Sequence, residues 1–361
     1  MAKEQDPARD RLARLLRFAR GKRRAVVVAQ SVPDPDGMAS AAALKHILTE
    51  KTGIDGIIAT SGEIGRAENR AVLQFLGETF EDIDDLDLDS FDLVAMVDTQ
   101  PGFRNNAWPA ERPVHVVLDH HPRLAGQPIA QLADIRPDYG AASTLLTEYL
   151  RAAALEPSAQ LATALLYGIK TDTQDLSRGA QPADTDAFLY LYARANARLL
   201  GMIERRPLPR AYFATLAQAL QACRLYDTVA ITALGPVPSS DAVGEQADQF
   251  LRIEGIRWAL CYGICDDALY LSLRTTVRQG RAGDLMAALL DGLGSGGGHD
   301  MFAGGQVSLV HLPPDDVDAL MRQIELRFLR LTDVSVRTPE PLVPGAVPSI
   351  LDAPPPPNKE N

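Results

Sequence analysis

An α/β protein of two domains is what the 361-residue sequence predicts, with a larger parallel-sheet domain followed by a smaller one. Three observations carry that prediction. Short runs of continuous apolar, β-branched residues alternate with helical patterns through the first half, the mark of a parallel sheet covered by helices on both faces. The pattern changes character beyond a proline- and arginine-rich break at ERRPLPR (204–210). Hydrophobic residues make up 46% and charged residues 23%, enough apolar material for two cores.

In chain order, residues 8–20 place Leu12, Leu15, Leu16 and Ala19 on one helical face with arginines opposite. RAVVVAQ (24–30) is a strand that runs into a Pro/Asp/Gly cluster and then the alanine-rich helix ASAAALKHILTEK. GIIAT (56–60), a helix near 66–77, and the strands FDLVAMVD (91–98) and VHVVLDHH (114–121) continue the alternation. Helices follow at about 141–153 and 159–170, then a largely helical stretch from 182 to 225. The second half reads as strands near 228–235, 256–265 and 268–276, a helix near 283–292, a glycine-rich loop, another strand and a helix near 315–330. The expected division is a catalytic domain over 1–190, a helical linker over 191–225, a smaller α/β domain over 226–336 and a disordered proline-rich tail over 337–361.

The charge balance narrows the partners. A net charge of −11 disfavours a protein that coats long nucleic acid, but allows a small anionic substrate where positive potential is focused locally. No apolar run reaches the roughly 18–20 residues that span a bilayer, so no membrane partner is expected. The charged opening MAKEQDPARDRLARLLRF has no secretory pattern. The three cysteines, Cys223, Cys261 and Cys265, read as reduced thiols of a cytoplasmic protein. The sequence is compatible with a homodimer but fixes no oligomeric state.

Four acidic or histidine clusters fall at predicted strand ends: Asp34 and Asp36 in PDPDG, Asp98 after FDLVAMV, Asp119-His120-His121 after VHVVL, and Asp172 in GIKTDTQD. Each alone is a common helix cap or turn. Groups at successive strand ends of one sheet must converge, and carboxylates brought together repel unless a cation is shared. Oxygen ligands with one or two imidazoles suit Mn²⁺, Mg²⁺ or Zn²⁺, and the carboxylate excess favours Mn²⁺. Two such ions would activate a water and steady an in-line displacement at phosphorus.

The ordered set AQSVPDPDGMAS, LVAMVDTQ, VLDHHPR and GIKTDTQD resembles the DHH phosphoesterase superfamily, and SLRTT (272–276) with GSGGGHDMFAGG (294–305) resembles its C-terminal DHH-associated domain. The resemblance runs from about residue 20 to 330. It implies metal ligation by Asp34, Asp36, Asp98, His120 and Asp172, with Asp98 bridging two Mn²⁺ ions and Mg²⁺ as a substitute. It further implies that His121 lies beside the reacting phosphate and that Asp119 orients the histidines. Arg274, Gly296, Gly297, Gly298 and His299 would clamp the substrate, with the cleft between the domains. Glycines there would let backbone N–H groups reach phosphate oxygens, and arginine pairs with them bidentately. The smaller, compact members of the superfamily act as nanoRNases or 3′-phosphoadenosine 5′-phosphate phosphatases, which makes short oligonucleotides or small nucleotides the expected substrates.

One position departs from those members. Gln30 stands where many carry a histidine, and an amide is the weaker ligand for Mn²⁺. The D-x-D-G core without that histidine resembles the single-strand exonuclease branch, the first alternative. A nucleotide-binding regulator with reduced turnover is the second.

Overall fold

The structure is a computed structural model that describes residues 7–344 apart from 63, 65, 104, 124, 125, 127–129, 278, 279, 299, 300, 311 and 335–338. The chain divides into two compact units, Met1–Pro207 and Leu208–Asn361.

The first unit is built on six parallel strands, β1 (Arg24–Val28), β2 (Asp55–Thr60), β3 (Phe80–Asp82), β4 (Leu93–Val97), β5 (Val116–Asp119) and β6 (Leu132–Ile135). Their order is β3-β2-β1-β4-β5-β6. Neighbouring residues of β1 serve opposite faces: Ala25 and Val27 enter one core, Val26 and Val28 another. Both cores are apolar, and each buried Val or Leu is worth roughly 1.5–3 kcal/mol relative to exposure. The first core is roofed by α1 (Pro7–Ala19), α2 (Pro35–Thr52), α4 (Ala142–Ala152) and α5 (Ala159–Asp172). On the other face the cover is of a different kind. Ile83, Leu86 and Leu88, in or beside two short 3-10 turns, join Trp108, Val114 and Ala130.

Helix α2 starts where its sequence says it must. Asp34 caps it by accepting the Gly37 N–H at 3.0 Å, Pro35 supplies the first helical position, and Gly53 closes it at φ 72°. Its run of alanines lets α5 approach closely. At Gly168 of α5 an added Cβ would lie 2.6 Å from Ser143 Oγ and 2.9 Å from the Asp36 Cα. Helix α3 (Ala67–Leu76), α6 (Pro182–Tyr192) and α7 (Ala197–Glu204) complete the unit. The stretch read as a linker, 191–225, is therefore shared: α7 belongs to the first unit, and α8 (Arg210–Ala222) to the second.

The second unit has a seven-stranded mixed sheet in the order β11-β12-β10-β9-β8-β7-β13. Its strands are β7 (Arg224–Tyr226), β8 (Val229–Pro236), β9 (Trp258–Cys265), β10 (Ala268–Thr275), β11 (Ser295–Gly298), β12 (Phe302–Ser308) and β13 (Glu340–Pro341). One face packs on α8 and α9 (Ser240–Phe250), the other on α10 (Ala282–Leu289) and α11 (Pro314–Leu331).

Three expectations need correction here. Helix α9 has no counterpart among the elements the sequence predicts; its polar sequence hides the buried set Ala242, Val243, Ala247 and Phe250. The glycine-rich stretch is not a loop at its start, because Ser295–Gly298 pair antiparallel with β12. The tail is not patternless from residue 337 onward. Glu340 and Pro341 pair with β7, and the Leu342 N–H donates to the Cys223 carbonyl at 3.1 Å. Proline suits such an edge strand, where its missing donor faces no partner. The rest of the expected tail, residues 345–361, lies outside the described residues.

Candidate metal centre

In an open parallel sheet, ligands collect beyond the carboxyl ends of the strands where the strand order reverses. That point falls between β1 and β4. The loop after β1 carries Asp34, Asp36 lies in the first turn of the helix that follows, and Asp98 follows β4 directly. Asp119 ends β5, with His120 and His121 next. Asp172, expected from the sequence at a strand end, is instead the last residue of α5. Topology alone thus gathers side chains far apart in sequence.

Two groups result. Ligand atoms of Asp98, Asp119, His120 and His121 lie within 4.8 Å of one another, as do those of Asp36, His120 and Asp172. His120 belongs to both. Its Nε2 is 3.3 Å from Asp98 Oδ1 and 3.6 Å from Asp172 Oδ2. Its Nδ1 lies 3.2 Å from the Tyr139 carbonyl, which can only accept, so Nδ1 carries the proton and Nε2 offers its lone pair. His121 Nδ1 lies 2.8 Å from Asp119 Oδ1 and 3.6 Å from Asp98 Oδ1. Asp34 stands outside both groups as the α2 cap. Its charge still acts on Asp36, Asp98 and Asp172.

Asp98 is 1% exposed and adopts a left-handed backbone at φ 56°. Such a conformation costs a non-glycine residue roughly 1–3 kcal/mol and persists where the surroundings hold it. Here the Asp98 N–H is held by the Leu118 carbonyl at 3.1 Å.

The electrostatics describe a cluster with carboxylate charge in excess. Burial, then repulsion from Asp36 and Asp34, pushes the Asp98 carboxyl well above the usual carboxylate range. Burial and the charges of Asp34, Asp36 and Asp98 do the same to Asp172. Asp36 is also raised by burial, although His120 opposes the shift. For His120, burial disfavours charge, but Asp36, Asp172 and Asp119 outweigh it and raise its pKa. Buried Asp98 Oδ1 and His120 Nε2 make no hydrogen bond. An orphaned carboxylate oxygen facing an orphaned imidazole nitrogen, within an excess of carboxylates, is a donor set that fits a divalent cation.

The surrounding groups are well engaged. Both oxygens of Asp36 accept backbone N–H groups at the start of α4, from Ala142 at 2.7 Å and Ser143 at 2.8 Å. Gln100 donates to Asp119 Oδ2 at 2.7 Å and to the His121 carbonyl at 2.8 Å. Burial alone would raise Asp119, yet the hydrogen bonds from His121 and Gln100 win and keep its carboxyl below the usual range. Sequence reasoning missed Gln100, though its place two residues after Asp98 in VDTQ offered a signal. Gln30 also lies nearby. A Cβ added at Gly37 would lie 3.3 Å from Asp98 Oδ2 and 3.4 Å from Gln30 Cδ, which puts that amide beside the centre.

The expected clamp belongs to the second unit. Arg274, near the end of β10, pairs through Nε with Asp248 of α9 and donates through Nη1 to Ser272 Oγ at 2.7 Å. The three glycines differ in what they permit. A Cβ at Gly296 would meet Met286 Cγ at 2.7 Å, and one at Gly298 the Phe302 carbonyl at 2.4 Å, whereas Gly297 faces open space. His299 lies outside the described residues. Arg178, which the sequence left open as a substrate contact, donates to the Asp172 carbonyl at 2.9 Å.

Residues 24–169 match the model of the DHH family, N-terminal domain. The chain carries a DHH family domain. Its sequence is 34% identical over 296 residues to an uncharacterized protein of Methanocaldococcus jannaschii, covering 81% of this chain and 60% of the relative. The chain therefore spans 60% of the length of the curated relative it matches. In structure it is similar to an exopolyphosphatase-related protein from Bacteroides fragilis, with a TM-score of 0.66 at 14% identity, over 90% of this chain and 98% of that one. It is also similar to RecJ of Thermus thermophilus in complex with Mn²⁺, with a TM-score of 0.53 at 17% identity, over 90% of this chain and 55% of that one. At such identities the likeness extends to the fold. No described helix is long and apolar enough to cross a membrane.

Proposed function

We propose that this DHH protein is a divalent-cation-dependent phosphoesterase that hydrolyses short oligonucleotides or small nucleotides. The observation that carries the reading is the pair of orphaned atoms, Asp98 Oδ1 and His120 Nε2, set among buried carboxylates at the reversal of strand order. Asp34, Asp36, Asp98, His120 and Asp172 would hold the cations, with Asp98 shared. When bound, such ions lower the pKa of water and neutralise charge that develops on the phosphate. Mn²⁺ is the first ion to test, since a chain of the same fold binds it.

The protein's own groups supply the rest. Asp119, kept ionised by Gln100 and His121, fixes His121 with its proton on Nδ1 and leaves Nε2 to exchange a proton with a phosphate oxygen. Arg274, Gly296, Gly297, Gly298 and His299 take up the substrate phosphate. Arg274 does so by exchanging Asp248 for the phosphate. The net charge of −11 favours short substrates over long polymers.

The test offers purified protein with Mn²⁺ dinucleotides, longer single strands, cyclic dinucleotides and 3′-phosphoadenosine 5′-phosphate, and compares initial rates. Faster hydrolysis of the short substrates is expected. Faster cleavage of long single strands would favour the exonuclease reading, and binding without turnover the regulator.

A further inference from the structure

We infer that Asp184, on α6, is a positioning residue for the metal centre, acting through the turn that joins β6 to α4. The inference rests on the metal-centre reading above. Asp184 is completely buried, and its two oxygens are crowded with donors. The Gly140 N–H reaches Oδ1 at 3.0 Å and Oδ2 at 2.9 Å, the Thr144 hydroxyl donates to Oδ1 at 2.6 Å, and the Gln181 N–H to Oδ2 at 2.7 Å.

The far side of that same turn touches the centre at three places. The Tyr139 carbonyl accepts from His120 Nδ1 at 3.2 Å, and the N–H groups of Ala142 and Ser143 hold Asp36 at 2.7 and 2.8 Å. Contacts to Asp184 and contacts to the centre thus alternate along residues 139–144. The turn is pinned from behind by one carboxylate while it orients one imidazole and one carboxylate in front.

A plain helix cap would explain only part of this. Capping α6 needs the Gln181 N–H alone. The other donors come from Gly140 and Thr144, some forty residues earlier in the chain. Glycine at 140 is required by the same packing, because an added Cβ would lie 2.5 Å from Thr173 Cγ2 and 3.1 Å from Asp184 Oδ2. Groups that orient metal ligands from behind commonly set affinity by about 10- to 100-fold.

The experiment measures Mn²⁺ binding by the full chain without substrate, from the paramagnetic resonance of free Mn²⁺, alongside circular dichroism. Asp184→Asn keeps size but turns an amide N–H toward an N–H donor. It should bind Mn²⁺ about tenfold or more weakly while retaining the wild-type far-ultraviolet spectrum. Tyr149→Phe, which removes a buried hydrogen bond from α4 to Asp134, should lower the melting temperature and leave Mn²⁺ affinity unchanged. A folded Asp184→Asn protein with wild-type affinity overturns the inference, as does equal weakening in Tyr149→Phe. Should Asp184→Asn fail to fold, Thr144→Val and Thr144→Ser decide. The valine variant should bind roughly threefold more weakly and the serine variant normally, the loss being one hydrogen bond; no difference between them overturns the inference. A wild-type protein that binds no Mn²⁺ overturns the metal-centre reading with it.

Discussion

At the carboxyl ends of the parallel sheet, three buried carboxylates converge on His120, whereas near the end of β10 in the second sheet Arg274 is already matched by Asp248. The first arrangement holds negative charge in excess, so the pKa values of Asp98 and Asp172 climb. The second is neutral as it stands. Removing a carboxylate should therefore relieve the first region while emptying it of cation affinity. In the second it should release an arginine for an incoming anion. The two sheets also hold their charged groups by different means. Strand ends, a helix start and the last residue of α5 position the first set, while one ion pair across a helix and a strand positions the other.

The largest effect is expected at Asp98. Asp98→Asn removes the carboxylate that faces both histidines, so hydrolysis should fall by at least about 100-fold and Mn²⁺ binding should be lost. The metal-free protein should become more stable. A carboxyl whose pKa is raised on folding favours the native state below its ordinary value of 3.8 and loses that contribution as pH rises through the raised value. At neutral pH the variant is spared that loss, and its melting temperature should rise by about 2–4 °C, as roughly 1 kcal/mol does in a unit of this size. A fall in the metal-free melting temperature would show that the carboxylate is satisfied in some other way.

A smaller effect tests the other half of the comparison. Arg274→Ala should lower kcat/KM about 10- to 100-fold, mostly through KM, the scale of a charge-assisted phosphate contact. Asp248→Asn should act in the opposite sense, lowering KM a few-fold because the guanidinium no longer has a carboxylate to leave. If both substitutions raise KM alike, the Asp248 pair is part of the binding geometry and the proposed exchange is wrong.

The same excess of charge predicts a pH dependence. Protons on Asp98, Asp172 and Asp36, all raised by burial and mutual repulsion, compete with the cation. Mn²⁺ affinity should therefore weaken as pH falls through their raised values, by roughly tenfold per pH unit for each proton displaced. Calorimetry in buffers of differing ionisation enthalpy counts those protons. An affinity independent of pH would mean that the carboxylates are already ionised.

Much of the parallel sheet was legible because both faces are buried, which writes RAVVV and LVAMV as largely apolar runs. The acidic clusters at their ends could be placed together for the same reason. What the sequence did not disclose was support from a distance. Asp184 reads as an ordinary N3 carboxylate of a capped helix, and nothing local reveals that Gly140 and Thr144 come to it. Gln100 was hidden in the same way, its two partners lying about twenty residues on. Short strands were also lost. β6 is four residues with Asp134 among them, too brief and too polar to show a period.

The smallest expected effect concerns the end of the chain, where composition pointed to disorder and the structure adds an edge strand. Proline, threonine and glutamate in TPEPLVP conceal a segment that docks by pairing Glu340 and Pro341 with β7 and packing one apolar residue. Leu342 is that residue: it packs in the cluster that holds Cys223 and Leu225, and its N–H reaches the Cys223 carbonyl. Ending the chain after Pro344 keeps these interactions, so melting temperature and activity should match the full chain. Ending it after Arg337 removes β13 and exposes the flank of β7. Part of a leucine and the backbone hydrogen bonds of this short edge pairing together amount to about 1–2 kcal/mol. The melting temperature of the second unit should then fall by roughly 2–6 °C, with kcat unchanged. Equal melting in the two truncations would show that β13 pairs too weakly to matter, and that composition had read the tail correctly.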